Sequence, residues 1–270
     1  MSRQFLLMSL AVLCACTSSG QRIDREAASV GLSRRLVTGT GFRHVVYMNA
    51  AAANADGARL LVFLEGDGRP WGESGRAPST DPTTRNPIAL QLLARAQAPG
   101  IYVSRPCYQQ IADPGCSSDV WTGGRYSRAV VESVAAAIDS VARERGAHGL
   151  VLIGYSGGGT LAVLVAERMK TVAGVLTIVA NLDIEAWTQL HGYLPLSTSL
   201  NPAASELAHP WPEVHLSGGQ DAVVPTATTA AYFKKYPAAK QWIFAEYGHV
   251  CCWVDEWPQL EEQALAPSSP

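Results

Sequence analysis

Apolar and polar positions along this chain fall into two alternating rhythms. Short apolar runs of strand length occupy residues 42–48, 59–64, 100–103, 150–153, 172–179, 214–216 and 241–244. Several carry Val, Ile or Leu at both odd and even positions, as strands buried on both faces of a parallel sheet do. Between them, residues 88–96, 127–143, 160–170 and 227–236 follow helical spacing. In the second of these segments Val130, Val134, Ala137, Ile138 and Val141 share one face, while Arg128, Glu132, Arg143 and Glu144 fall largely outside it. Alternation of this kind predicts right-handed crossovers and an α/β fold with a doubly wound, mostly parallel sheet. Two stretches break the rhythm. Residues 66–87, dense in Gly, Pro, Asp and Arg, read as a long loop over the top of the sheet. Residues 181–212, with Trp187, His191, Tyr193, Trp211 and several prolines, read as a cap insertion over a pocket.

The first fifteen residues have another character. Arg3 precedes an apolar stretch from Phe5 to Leu13 that is too short to span a bilayer, so residues 1–15 read as an export signal. Leu13-Cys14-Ala15-Cys16 resembles a bacterial lipoprotein cleavage box, which implies lipidation of Cys16 and a membrane anchor that does not span the bilayer. Thr17 at the next position is similar to what lipoproteins sorted to an outer membrane carry, so the resemblance places the protein in the periplasm or cell envelope. Residues 16–31 are polar and read as a tether to one folded domain, residues 32–270.

Composition narrows the partners. With 270 residues, 47% hydrophobic and 16% charged, the chain has enough apolar content for one full α/β domain. A net charge of −2 and the absence of any Lys or Arg run exclude a nucleic-acid groove. Removal of the signal takes Cys14 and lipidation uses Cys16, leaving Cys107, Cys116, Cys251 and Cys252. An even number in an exported chain points to disulfides, with three pairings open. The expected pair is Cys107 with Cys116, stapling a loop that contains Pro114 and Gly115, with Cys251 and Cys252 either reduced or joined to each other. No His or Asp stands at ligand spacing from these cysteines, so neither a metal nor a dissociable cofactor is expected.

The segment that carries chemistry runs from Gly149 to Thr160. Gly154-Tyr155-Ser156-Gly157-Gly158 fits Gly-x-Ser-x-Gly, a pattern of low specificity in a chain with 24 glycines. Its setting supplies the specificity, because it follows a strand and opens a helix. There, glycines relieve crowding at a tight turn and the helix start favours developing negative charge. A serine hydroxyl is a poor nucleophile until a base takes its proton, and the base in turn needs an acid to orient it. Asp221, in Gly218-Gly219-Gln220-Asp221-Ala222-Val223-Val224-Pro225 after a short strand, and His249, after the last strand, stand in the order Ser, acid, His. Asp183, at the end of another strand, is the rival acid. Of the other histidines, His44 and His148 read as packing or surface residues, and His191, His209 and His215 lie in or next to the cap. The oxyanion donors expected are the backbone N–H of Gly157 and, from the loop after residues 60–64, that of Asp67, with Gly66 in reserve. The Asp67 carboxylate argues against strongly anionic substrates unless Arg69 offsets it.

With these residues named, the chain from about residue 40 to 262 resembles the α/β-hydrolase superfamily. It is more closely similar to a subgroup of bacterial lipoprotein-like members sharing Glu65-Gly66-Asp67-Gly68, Arg105-Pro106-Cys107, Trp121, Arg125-Tyr126 and Asn181-Leu182-Asp183. The resemblance implies a sheet of about eight strands and hydrolysis of a carboxylic ester or related acyl bond through an acyl-enzyme on Ser156. Trp71, Trp121, Trp187 and Trp253 are candidates to line an acyl pocket. Two alternatives stand beside it: a serine peptidase of the same fold, and a non-catalytic envelope lipoprotein that binds a partner.

Overall fold

Burial on both faces is what the apolar runs achieve. In a computed structural model, which describes residues 18–54 and 56–266, eight strands form one sheet. They are β1 Ser33–Thr38, β2 Arg43–Met48, β3 Arg59–Leu64, β4 Gly100–Val103, β5 Gly149–Tyr155, β6 Val172–Ile178, β7 Glu213–Gly218 and β8 Lys240–Phe244, in the order β1-β2-β4-β3-β5-β6-β7-β8. β1 pairs antiparallel with β2 and β2 antiparallel with β4; all other pairings are parallel. The export signal, Cys14, Cys16 and Thr17 lie outside the described residues.

Strand alternation divides the core in two. Leu60, Val62 and Leu64 of β3 join the cluster under α3 (Arg128–Glu144), α4 (Gly157–Ala166) and α6 (Ala230–Lys235). Leu61 and Phe63 join the opposite cluster with α1 (Ser19–Ser29), α2 (Ile88–Arg95) and α7 (Trp257–Leu265). The sheet is therefore doubly wound, as predicted. All ten residues of α4 are buried, so its position behind β5 is fixed from every side. Among the described residues no helix is long and apolar enough to cross a membrane.

Three departures from the sequence reading have physical causes. Residues 19–29 form helix α1, a correction to the tether read over 16–31. Ser18 and Gln21 make a reciprocal capping box at its start, and only Ile23 and Ala27 supply a narrow apolar stripe, both buried. β1 was missed because it is an edge strand on which only Val37 is buried. α5 (Ile184–His191), inside the stretch read as a cap, was missed because it is short and buries only Ile184 and Thr188.

The excursion between β6 and β7 returns to the sheet through a buried polar network. His209 sits between Glu167 (Nε2 to Oε1, 3.1 Å) and Glu213 (Nδ1 to Oε1, 2.8 Å). Glu213 also accepts from Tyr232 Oη (2.7 Å) and Trp211 Nε1 (2.9 Å) and meets His215 Nε2 at 3.0 Å. Burial alone would lower the His209 pKa, but Glu167 and Glu213 override it and raise it to about 9. Because its folded value exceeds the ordinary 6.5, the stabilisation is full below about pH 6.5 and is lost as pH rises through about 9. The melting temperature of the wild type is therefore expected to fall over that interval, by an amount equivalent to roughly 3 kcal/mol at most. His209→Gln should melt lower at pH 6.5 and show a flatter pH dependence. Parallel curves for the two proteins in circular-dichroism melts would contradict the ion-pair account.

Candidate active site

The turn between β5 and α4 sets Ser156 in an unusual backbone conformation, φ 51° and ψ −125°. A non-glycine residue adopts positive φ only when its surroundings impose it. Here the Ser156 N–H donates to the Ile178 carbonyl (2.8 Å) and its own carbonyl accepts from Gly159 (2.9 Å), which ties the turn to β6 on one side and to α4 on the other. A side chain at Gly158 would collide with the Leu64 backbone, so glycine lets α4 start directly against the end of β3.

His249 and Asp221 come from two loops knitted together by backbone. Gly219 N–H donates to the Phe244 carbonyl (2.8 Å) and Gln220 N–H to the Tyr247 carbonyl (2.9 Å), joining the turn after β7 to the turn after β8. Asp221 Oδ1 accepts from the N–H groups of Val223 and Val224, each at 2.8 Å, which orients Oδ2 toward His249 Nδ1 at 2.8 Å. His249 Nε2 lies 3.0 Å from Ser156 Oγ. Tyr155 Oη donates to the His249 carbonyl (3.0 Å), and Trp253, fully buried, donates Nε1 to the Gly248 carbonyl (3.1 Å). The Asp221 side chain is wholly buried and that of His249 is 15% exposed, so Asp221 is shielded while His249 opens to the pocket. The rival Asp183 is engaged elsewhere, as the N-cap of α5, accepting from Glu185, Ala186 and Asn201.

The start of α4 and the loop after β3 carry the N–H groups expected from sequence as oxyanion donors. Among the described residues, the N–H groups of Gly157 and Asp67 donate to no other group of the chain. The N–H of Gly66, read as the reserve donor, is turned instead onto Glu65 Oε1 (3.1 Å). This is a correction: a buried carboxyl next door claims that hydrogen bond. Burial pushes the Glu65 carboxyl up to about 7, against the N–H groups of Gly66, Ala89 and Leu90 that pull it down.

Asp67 differs most from the sequence reading. Its carboxylate is offset by Arg105 (Nη2 to Oδ1, 2.7 Å) and Arg125 (Nη1 to Oδ2, 2.8 Å), while Arg69 donates elsewhere, to the Asp81 carbonyl. Tyr126 Oη donates to the same carboxylate, 2.6 Å from Oδ1 and 2.8 Å from Oδ2. Burial alone would raise the Asp67 pKa, but Arg125, Arg105 and Tyr126 hold it below the ordinary carboxylate value. Residue 157 has to be glycine because any side chain there would run into Asp67 and Tyr126. The expected disulfide between Cys107 and Cys116 is formed, with Cα atoms 5.7 Å apart, and closes the loop that follows Arg105. Tyr108, next to this bond, donates Oη to the Asp67 carbonyl (2.8 Å). Cys251 and Cys252 are joined to each other.

A cavity of about 980 Å³ opens over Ser156 and His249. The loop after β3 contributes Trp71, and the stretch after α5 contributes Tyr193, Leu194, Pro195 and Leu196. Trp187 lines it too, tied down by a hydrogen bond from Nε1 to the Val223 carbonyl (2.7 Å). Of the four tryptophans considered from sequence, Trp71 and Trp187 face this cavity. Trp253 packs in the core behind His249, and Trp121 is not among the lining residues.

No protein-family model and no curated protein sequence matches the chain. In structure it is similar to an esterase from Pyrococcus furiosus, with TM-score 0.61 and 10% identity over 88% of this chain and 93% of that one. It is also similar to a candidate α/β hydrolase of unknown function from Agrobacterium tumefaciens, with TM-score 0.57 and 14% identity over 86% of this chain and 96% of that one. A hormone-sensitive lipase from a metagenome library gives TM-score 0.54 and 14% identity over 87% and 84%. The chain has the α/β-hydrolase fold.

Asp67→Asn removes the one carboxylate that the two guanidinium groups share while keeping its size. Leaving buried charge uncompensated should cost about 3–5 kcal/mol of folding stability. Chemical denaturation of the variant beside wild type measures this; a loss below 1 kcal/mol would mean that Arg105 and Arg125 do not depend on Asp67.

Proposed function

We propose that the protein is a serine hydrolase that cleaves a carboxylic ester or related acyl bond through an acyl-enzyme. The observation that carries this reading is the unbroken chain of contacts from Asp221 through His249 to Ser156, with the serine on a positive-φ turn and His249 open to the cavity. In this reading His249 Nε2 takes the proton from Ser156 Oγ as the oxygen attacks the acyl carbon. Asp221 holds the ring with Nδ1–H toward itself and stabilises the imidazolium that forms. The N–H groups of Gly157 and Asp67 receive the negative charge on the tetrahedral oxygen. The proton then passes to the leaving alcohol, and a water activated by the same His249 releases the acid. Because the Asp67 N–H is one donor, the Asp67 side-chain network also fixes the position of the oxyanion site.

A fluorophosphonate probe tests this directly. Wild type should label stoichiometrically. Ser156→Ala should not label at all, and His249→Ala and Asp221→Asn should lose roughly 10³–10⁴-fold in labelling and esterase rate. Folded wild type that resists the probe would count against an activated serine.

We further propose that Cys16 is lipidated and anchors the protein in the cell envelope. Support for this comes from the apolar stretch between Phe5 and Leu13 and the Leu13-Cys14-Ala15-Cys16 sequence. Expressed in a Gram-negative bacterium with labelled palmitate, wild type should incorporate label and partition into detergent, while Cys16→Ser should do neither. Equal partitioning of the two would exclude the anchor.

A further inference from the structure

Two guanidinium groups line the cavity, and they differ in kind. Arg76 is exposed and hydrated, whereas Arg125 is 4% exposed. The Arg125 plane is fixed by two hydrogen bonds, Nε to the Thr122 carbonyl (2.7 Å) and Nη1 to Asp67 Oδ2 (2.8 Å). Its Nη2 makes no hydrogen bond among the described residues and is not fully buried. The chain has little left to offer it. Both oxygens of Asp67 already accept from an arginine and from Tyr126. Each guanidinium nitrogen of Arg105 is engaged, Nε on the Glu65 carbonyl, Nη1 on the Arg125 carbonyl and Nη2 on Asp67. Glu65 points its carboxyl at the N–H groups of Gly66 and Ala89 rather than at either guanidinium.

This end of the cavity therefore holds Arg125, with Arg105 behind it, against the saturated Asp67 carboxylate and a Glu65 carboxyl that is only partly ionised near pH 7, and it leaves one guanidinium nitrogen without an acceptor. A guanidinium nitrogen left open in this way can donate to an incoming oxygen, and the remaining positive charge favours an ionised one. A neutral carbonyl would satisfy the N–H but leave the charge. The remaining wall, including Trp71, Trp187, Leu194 and Leu196, is apolar or aromatic and suits a short methylene spacer.

We propose that Arg125 recognises, through Nη2, a carboxylate that the substrate carries close to the bond Ser156 attacks, so that half-esters of short dicarboxylic acids are the substrate class this pocket takes. The inference rests on the serine-hydrolase reading and deepens it. Arg125 is a specificity-determining residue here, and its contact with Asp67 is what aims it.

The test separates recognition from catalysis. In full-length Ser156→Ala protein, which leaves the ester intact, isothermal titration compares the monomethyl esters of succinate, glutarate and adipate with neutral methyl esters of matching length. The best half-ester should bind roughly ten- to a hundredfold more tightly than its neutral partner. That ratio should shrink as salt is raised and should collapse toward one in Arg125→Gln. In wild type the same ratio should appear in kcat/KM, a comparison that needs no variant at position 125. A merely structural Arg125 would lower the stability of Arg125→Gln without moving the ratio. Equal binding of half-esters and neutral esters to the Ser156→Ala protein, no detectable binding of any half-ester, or a ratio unchanged in Arg125→Gln would overturn the proposal. Fluorophosphonate labelling of wild type judges the serine-hydrolase reading independently of either result.

Discussion

Ser156 occupies a backbone conformation that an L-residue adopts only under constraint, and much of the architecture can be understood as the source of that constraint. β5 is a central strand, paired on both sides by parallel neighbours, so its end cannot shift. α4 is buried along its whole length and starts one residue after the serine, so the chain has to reverse within the turn itself. Gly158 removes the one side chain that would push α4 away from β3. The positive φ then aims the hydroxyl off the end of the sheet, where the loops after β7 and β8 can reach it. Those two loops are held to each other by backbone hydrogen bonds before any side chain is considered, which makes the Asp221–His249 alignment a property of the scaffold.

A second constraint acts from the opposite side of the pocket. The loop after β3 could satisfy an oxyanion only if its backbone were immobile, and a loop rich in Gly and Pro is not stiff by itself. The Asp67 side chain solves this by joining Arg105, Arg125 and Tyr126, residues that belong to the segment between β4 and α3. Arg105 also stacks 5.3 Å from the Tyr126 ring, which adds a cation–π contact to the same group. Tyr108, held near the Cys107–Cys116 bond, grips the Asp67 carbonyl. Charge burial of this kind is weak evidence for stability, because desolvation offsets much of the attraction; its clearer effect is to leave only one geometry open to the loop.

Legibility in the sequence followed burial. Strands β3 and β4 match their apolar runs end for end, because every residue but one in β3 and all of β4 are buried. The Ser156, Asp221 and His249 positions were legible because each sits in a local pattern imposed by a turn, and the structure brings those three together. β1, α1 and α5 were not legible, since each buries two residues or fewer of a polar segment, or a narrow stripe that periodicity cannot separate from a linker. The Asp67 network was hidden for another reason. Its other members lie 38 to 59 residues from Asp67, and nothing in a linear pattern signals that two arginines and a tyrosine converge on one aspartate. The sequence reading offers only Arg69, two residues on, as a group that would offset the Asp67 charge; tertiary geometry chose Arg105 and Arg125.

Helix α1 bears on how an anchored domain would sit. Its capping box begins at Ser18, two positions after Cys16 in the sequence, and the Ser18 hydroxyl also donates to Gln110 (3.0 Å). Two residues of extended chain reach at most about 7 Å. If Cys16 carries the lipid, the start of α1 and the neighbouring segment around Gln109 and Gln110 lie within that distance of the acyl attachment point. The domain would then have little freedom to swing, and the face that carries α1 would be the one turned to the membrane. A short polar tether over residues 16–31, as the sequence reading has it, would instead leave orientation open. With Cys16 lipidated, the capped helix would restrict how the pocket meets its substrate.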